Sequence, residues 1–322
     1  MCKLYIAMYH YVRDLKNSRY PFIKGLDYEK FKRQIAFFQN RFHVVTMEDV
    51  IQSACGGGYL PEDALLLTFD DGYIDHYTYV LPVLKEYHMQ GSFFIPGRIP
   101  DADGLLEVNK IHFILASARE DLLLEELYRR MDYYRGTQFS YPSNAELFFQ
   151  YGKANRFDTK ETIFIKRMLQ TVLPQKLREM LASELFQKFV GVEEAVFARE
   201  LYLSRDQLRM MKQAGMHIGV HGYSHDWLGN MHVSEMKTDI LKALDALDGL
   251  TGRKDWTISY PYGSYNKEVV RFAASQGACA GFTTKMAAAD LSSDNRMELP
   301  RLDCNDFPPV SSGYQSENVQ QV

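Results

Sequence analysis

Short apolar runs alternate along the chain with segments whose apolar positions recur every three or four residues. That alternation is the mark of βα units around a largely parallel sheet or barrel. Leu4–Met8 reads as a first buried strand. Asp27 stands before Phe31, Ile35 and Phe38, which recur at helical spacing, and reads as the N-cap of that helix. Phe42–Val45 is a second short strand, and Thr46 with Asp49 forms a capping box that opens another helix. Ala64–Phe69 is apolar at nearly every position, as expected of a strand covered on both faces, and it runs directly into Asp70-Asp71-Gly72. A helix through Tyr79–Tyr87 and a strand at Ser92–Ile95 follow, and after Pro96-Gly97 the alternation stops.

From Leu105 to Glu200 the pattern is mainly helical, charged and rich in tyrosine. A connection this long is no simple loop, since unstructured loops beyond about 12 to 15 residues are uncommon in compact domains. It reads as a helical insertion between two strands. Alternation resumes at Ser204, an N-cap with Gln207 three residues on, in a helix that Gly215 ends. Strands at His217–Val220, Trp256–Ser259 and Ala280–Thr283 then alternate with helices at Ser234–Leu247 and Lys267–Gln276. The expected organisation is an α/β body in residues 1–104 and 201–306, a helical insertion at 105–200, and a tail at 307–322.

Composition narrows the classes. With 322 residues, 46% of them hydrophobic and 24% charged, the chain is neither disordered nor fibrous. The net charge of -4 argues against a nucleic-acid partner, because such binding is driven by excess Lys and Arg. Four scattered cysteines, Cys2, Cys55, Cys279 and Cys304, form no disulfide or zinc pattern and read as reduced thiols. The N-terminal apolar run is shorter than the ~7 to 15 residues of a signal-peptide core. Nothing approaches the ~18 apolar residues that an integral membrane segment needs. The expectation is a cytoplasmic protein.

Three segments carry candidate chemistry, each at the C-terminal end of an expected strand, where barrel enzymes assemble their sites. The first, Thr68-Phe69-Asp70-Asp71-Gly72, holds adjacent carboxylates; a turn at Gly72 would let both reach one cavity, one as a metal ligand and one as a base. An Asx-type turn is the plainer reading of the same residues. The second, His221-Gly222-Tyr223-Ser224-His225, spaces two imidazoles so that a helical turn would bring them to one face, as in other zinc sites; its plainer reading is two hydrogen-bonded histidines on a polar loop. In the third, Tyr260-Pro261-Tyr262-Gly263-Ser264-Tyr265, the turn could expose a backbone N–H to an oxyanion, or could merely join a strand to a helix. Asp71, His221 and His225 together make one carboxylate and two imidazoles, a set that leaves open positions for water and substrate.

Taken in this order, TFDDG, HxxxH and YPYGSYN resemble the motifs of the polysaccharide deacetylases, carbohydrate esterase family 4. The resemblance covers residues 1 to about 100 and 204 to 304 and leaves out the insertion. It implies a distorted, incomplete (β/α) barrel and removal of an N-acetyl group from an amino sugar or glycan precursor. It implies a divalent cofactor, zinc before cobalt, nickel or manganese. Asp70 matches the family's base, Asp71, His221 and His225 its metal triad, and Tyr262 its oxyanion N–H. Two features depart from the family pattern. The arginine that usually tethers the base is absent from Trp256–Tyr260, and Arg301, near an expected last strand, is the candidate to replace it. The late histidine that supplies the acid is also missing; His10 and Asp70 itself are the candidates. Tyr73, Tyr260 and His10 are expected to line the sugar cleft. The insertion tyrosines would meet the rest of a saccharide or a second copy of the chain, so a homo-oligomer is left open. The rival reading is a carbohydrate-binding protein that has lost turnover; a hydrolase of another small amide keeps the same chemistry.

Overall fold

The computed structural model describes residues 3–101, 104–155 and 158–315. Cys2 and the end of the expected tail, residues 316–322, lie outside them. The strands are β1 (Lys3–Tyr9), β2 (Val12–Arg13), β3 (Leu26–Asp27), β4 (His43–Val44), β5 (Ala64–Asp70), β6 (Ser92–Ile95), β7 (His217–Val220), β8 (Trp256–Ser259), β9 (Ala278–Phe282), β10 (Ala289–Asp290) and β11 (Leu302–Asp303). The main sheet runs β10-β1-β5-β6-β7-β8-β9, with β4 beside β5 and β11 beside β1. Every neighbouring pair is parallel except β1 with β10. The result is a curled, mixed half-barrel with helices packed on it, the architecture expected of the deacetylase resemblance.

Parallel strands place all their C-terminal ends at one rim, which is what gathers the three motif segments. The segment carrying Arg301 links the two edges of the curl: Leu299 bridges Phe282 of β9, while Leu302 pairs with Ala7 of β1. Side chains alternate across each strand. On β5, Leu66, Thr68 and Asp70 share one face, and Leu65, Leu67 and Phe69 the other. The inner face is apolar at its base, where Leu4, Ile6, Leu66, Phe94, Ala280, Phe282 and Leu299 pack in one cluster. Gly219 makes room for it, since a Cβ there would stand 2.6 Å from the Phe94 ring and 2.8 Å from Thr257 Oγ1. On the outer face, Phe69 stacks against Tyr9 and Phe93 with ring centroids 4.9 and 4.8 Å apart.

Local signals account for the helix starts. Asp27 accepts the N–H of Glu29, and the Thr46/Asp49 and Ser204/Gln207 capping boxes both form. The helix expected at Tyr79–Tyr87 differs: a π-helical turn spans His76–Val80 and the α-helix runs only from Leu81 to Glu86. Cys55, Cys279 and Cys304 are free thiols. Among the described residues no helix is long and apolar enough to cross a membrane.

The chain divides into two units. One comprises residues 1–14, 25–104 and 198–322; the other joins residues 15–24 to helical residues 105–197. The short segment 15–24 is docked by Tyr20, whose ring meets Phe113 and Phe197 edge-on at 5.0 and 5.7 Å. Several insertion tyrosines knit this unit together: the Tyr134 hydroxyl donates to Glu184 at 2.5 Å and the Tyr141 hydroxyl to the Met131 carbonyl at 2.6 Å. Tyr133 is 69% exposed.

Candidate metal centre and the residues around it

Asp70 is the last residue of β5 and keeps the inward direction of Thr68. It is fully buried, an expensive place for a carboxylate without a countercharge. Arg301 supplies the charge: its Nη1 donates to Asp70 Oδ1 at 3.0 Å and its Nη2 to Oδ2 at 2.7 Å. The same guanidinium donates to the Thr283 carbonyl, to Thr68 Oγ1 and to Ser259 Oγ. The Ser259 hydroxyl donates to Asp70 Oδ2 at 3.0 Å. Burial pushes the Asp70 carboxyl up, and Arg301 outweighs it, holding the group below the usual carboxylate range.

Consecutive strand residues point to opposite faces, so Asp71 reaches the same rim only by leaving the strand conformation. It does so with φ of 74°. His225 (φ 60°) and Tyr262 (φ 58°) share this left-handed conformation. Side-chain-bearing residues adopt it at a cost of about 1–3 kcal/mol each and concentrate at functional sites when they do. The histidine pair is corrected here in its geometry: no helix contains it. β7 ends at Val220, and residues 221–225 form an irregular loop with Gly222 also at positive φ (64°). The imidazoles still converge, with ring centroids 4.9 Å apart.

Asp71, His221 and His225 are buried, and one ligand atom of each lies within 4.8 Å of the others. The His221 Nδ1 lies 2.7 Å from the Ser259 carbonyl, which can only accept, so Nδ1 carries a proton and the lone pair of the neutral ring lies at Nε2. That Nε2 is 3.3 Å from Asp71 Oδ1, and His225 Nε2 is 3.1 Å from the same oxygen. A buried carboxylate oxygen met by an imidazole lone pair is a place where a cation would satisfy both. Oδ1 of Asp71 has no hydrogen-bond donor, while its Oδ2 accepts the Tyr73 hydroxyl at 2.6 Å. Burial pushes the Asp71 carboxyl up, and positive charge at the two imidazole positions holds it well below its ordinary range. The donor set fits a divalent ion of the kind that takes nitrogen and oxygen ligands.

Two expected cleft residues are corrected. Tyr260 is fully buried; its hydroxyl donates to the Met297 carbonyl at 2.9 Å and its ring stacks on Tyr265. Tyr73 is also fully buried, stacked on Tyr11 at 3.9 Å, with its hydroxyl spent on Asp71. Neither can present a face to a sugar. His10 follows β1 directly, and the Tyr9↔Phe69 register sets it beside Asp70 at the same rim. The His10 carbonyl faces Nε2 of the buried His76 at 2.9 Å. Tyr262 keeps partial exposure, its ring edge-on to His225 at 4.8 Å and stacked on Trp227 at 4.3 Å. Ser259 was absent from the sequence candidates, although its place as the last residue of β8 is the same signal that marked Asp70.

A half-barrel whose strand ends gather a His/His/Asp cluster beside an arginine-clamped carboxylate is the frame of a hydrolase. The chain belongs to the polysaccharide deacetylase family, whose model matches residues 57–134 and 155–280. The match runs into the helical unit, which the three motifs had left outside the resemblance. Members of the family are generally metal-dependent, and this chain has a cluster able to hold an ion. Over 88 residues it is 28% identical to YxkH of Bacillus subtilis (strain 168), whose name assigns it to the polysaccharide deacetylases; the match spans 27% of this chain and 32% of YxkH. In fold it is similar to the deacetylase PplD of Streptococcus pyogenes, solved in complex with acetate, with a TM-score of 0.58, 17% identity and coverage of 97% of this chain and 95% of that one. IcaB from Ammonifex degensii gives a TM-score of 0.56 at 17% identity, covering 98% of each chain.

Proposed function

We propose that the protein hydrolyses an N-acetyl group on an amino sugar of a glycan or glycan precursor, using a divalent ion held by Asp71, His221 and His225. Zinc is the first choice, with cobalt, nickel or manganese as alternatives. The observation that carries this reading is the pair of imidazole Nε2 atoms facing Asp71 Oδ1 at 3.3 and 3.1 Å, next to a carboxylate clamped by Arg301.

Bound at that cluster, the ion supplies Lewis acidity, polarising the amide carbonyl and lowering the pKa of water. Asp70 accepts the proton that the attacking water gives up, and the resulting hydroxide adds to the acyl carbon. Arg301 and Ser259 keep Asp70 ionised and aimed. The Tyr262 N–H, presented by its left-handed turn, donates to the oxyanion of the tetrahedral intermediate. The C–N bond breaks as the leaving nitrogen takes a proton, from His10 or from Asp70, which now carries one. Acetate and a free amine result.

The test is acetate release from N-acetylated amino-sugar oligomers by protein reconstituted with zinc or cobalt, with chelator-stripped protein beside it. Release that depends on the ion is expected. Bound ion and bound saccharide without release would overturn this reading in favour of the carbohydrate-binding alternative.

A further inference from the structure

Two of the three ion-facing side chains stand on a loop without regular structure, at residues 221–225, so something outside the loop must fix its backbone. The tip of β6 and the residues after it do part of this. The His221 N–H donates to the Ile95 carbonyl at 3.0 Å, and the N–H groups of Gly97 and Arg98 donate to the carbonyls of Gly222 and Tyr223 at 2.8 and 3.3 Å. Two more amides converge on one group: the Tyr223 N–H donates to Asp239 Oδ1 at 2.7 Å and the Ser224 N–H to Oδ2 at 3.0 Å. Asp239 lies on the helix Val233–Ala246, on the buried face it shares with Met236, Ile240 and Ala243, and is 4% exposed. Among the described residues no Lys or Arg forms an ion pair with it. A Cβ on Gly222 would stand 3.0 Å from Asp239 Oδ1, so the glycine is what lets the loop close onto the carboxylate.

We propose that Asp239 is a positioning residue of the metal centre: by holding the amides of Tyr223 and Ser224 it keeps the loop in the form that aims His221 and His225 at Asp71. The proposal rests on the metal-centre reading above. Asp239 touches none of the reacting atoms; it acts through the loop, and its substitution should be felt first in ion affinity. Groups that orient metal ligands from outside typically contribute 10–100-fold in affinity.

Asp239→Asn is the sharpest variant, because it keeps the shape but leaves one acceptor for two N–H groups and turns an N–H donor toward the other. Cobalt(II) titration followed by visible absorption, with zinc competition against a chelating dye, reads the effect. Asp239→Asn is expected to weaken both ions about 10–100-fold and to alter the cobalt spectrum, and Asp239→Glu, which keeps two acceptor oxygens, to recover part of the affinity. Leu244→Ala, in the same helix and buried, is the control for destabilisation: it should lower Tm and leave Kd unchanged. Wild-type affinity in Asp239→Asn, or an equal affinity loss in Leu244→Ala, overturns the proposal. A wild-type protein that binds neither ion overturns the metal-centre reading itself and this inference with it.

Discussion

Glu126 in the helical unit and Asp71 in the barrel unit are both buried carboxylates, and their surroundings differ in kind. Glu126 is met by three full positive charges, with Arg129, Arg130 and Lys188 at 2.7, 2.7 and 2.8 Å. Its charge is answered several times over, and its place is explained by tying two helices together. Asp71 is met by two imidazoles, one of which, in its neutral form, offers a lone pair because its other nitrogen faces a carbonyl. Its charge is left wanting a cation. Low exposure marks both residues, and the inventory of partners is what separates them.

The strongest way to break this contrast is at the cluster and the base. His225→Ala should abolish ion binding, measured as metal content after dialysis, and turnover with it. Asp70→Asn should leave metal content unchanged and lower kcat by about 10²–10⁴-fold, the usual worth of a general base. Retained turnover would remove Asp70 from that role.

Arg301→Met comes next, since it strands a buried carboxylate. Removing one partner of such a pair costs about 3–5 kcal/mol, readable by urea unfolding near neutral pH. The sign with pH follows from the lowered Asp70 carboxyl. The pair contributes fully above the unfolded carboxylate range and is lost as the pH falls through the depressed folded value. Without the guanidinium, burial dominates and the carboxyl rises, so the acid limb of the kcat/KM profile should move to higher pH. An unmoved limb would separate that titration from Asp70.

Tyr73→Phe removes the hydroxyl from Asp71 Oδ2 and should weaken zinc about tenfold, at the lower end for such supports, with the fold intact. The smallest effect on function belongs to the other carboxylate. Glu126→Gln should cost about 1.5–3 kcal/mol of stability, the range for hydrogen bonds to charged groups, and leave ion affinity and turnover alone. An activity loss there would erase the distinction between the two groups.

Much of the frame was legible because it rests on local rules. The ALLLTF run, the capping boxes at Thr46 and Ser204, and the placing of polar clusters at strand ends are read from neighbouring residues. Arg301 was reachable because a missing tether and an arginine near a late strand pointed to each other. The histidine geometry was not, since HxxxH spacing suits a helix and nothing in five letters reveals that Gly222 and His225 turn left-handed. Tyr73 and Tyr260 misled because a tyrosine at a strand end has the same letters whether its ring meets sugar or protein. Asp239 had a faint signal, an acid on the apolar stripe of Met236, Ile240, Ala243 and Leu244, but its purpose lies in a loop that only the folded chain brings to it. The docking of Tyr20 against Phe113 and Phe197, 93 and 177 residues further on, is equally invisible to local pattern.

The bridge that Leu299–Asp303 makes between β9 and β1 also sets an order of events. Asp70 leaves the ribosome 231 residues before the guanidinium that neutralises it. A nascent sheet that packed β5 fully at once would entomb an unanswered charge, so the inner layer around Asp70 has reason to stay wet until the last segment arrives. The segment that joins β9 to β1 is thus also the one that brings Asp70 its countercharge, and a chain cut ahead of Arg301 would leave that carboxylate unanswered.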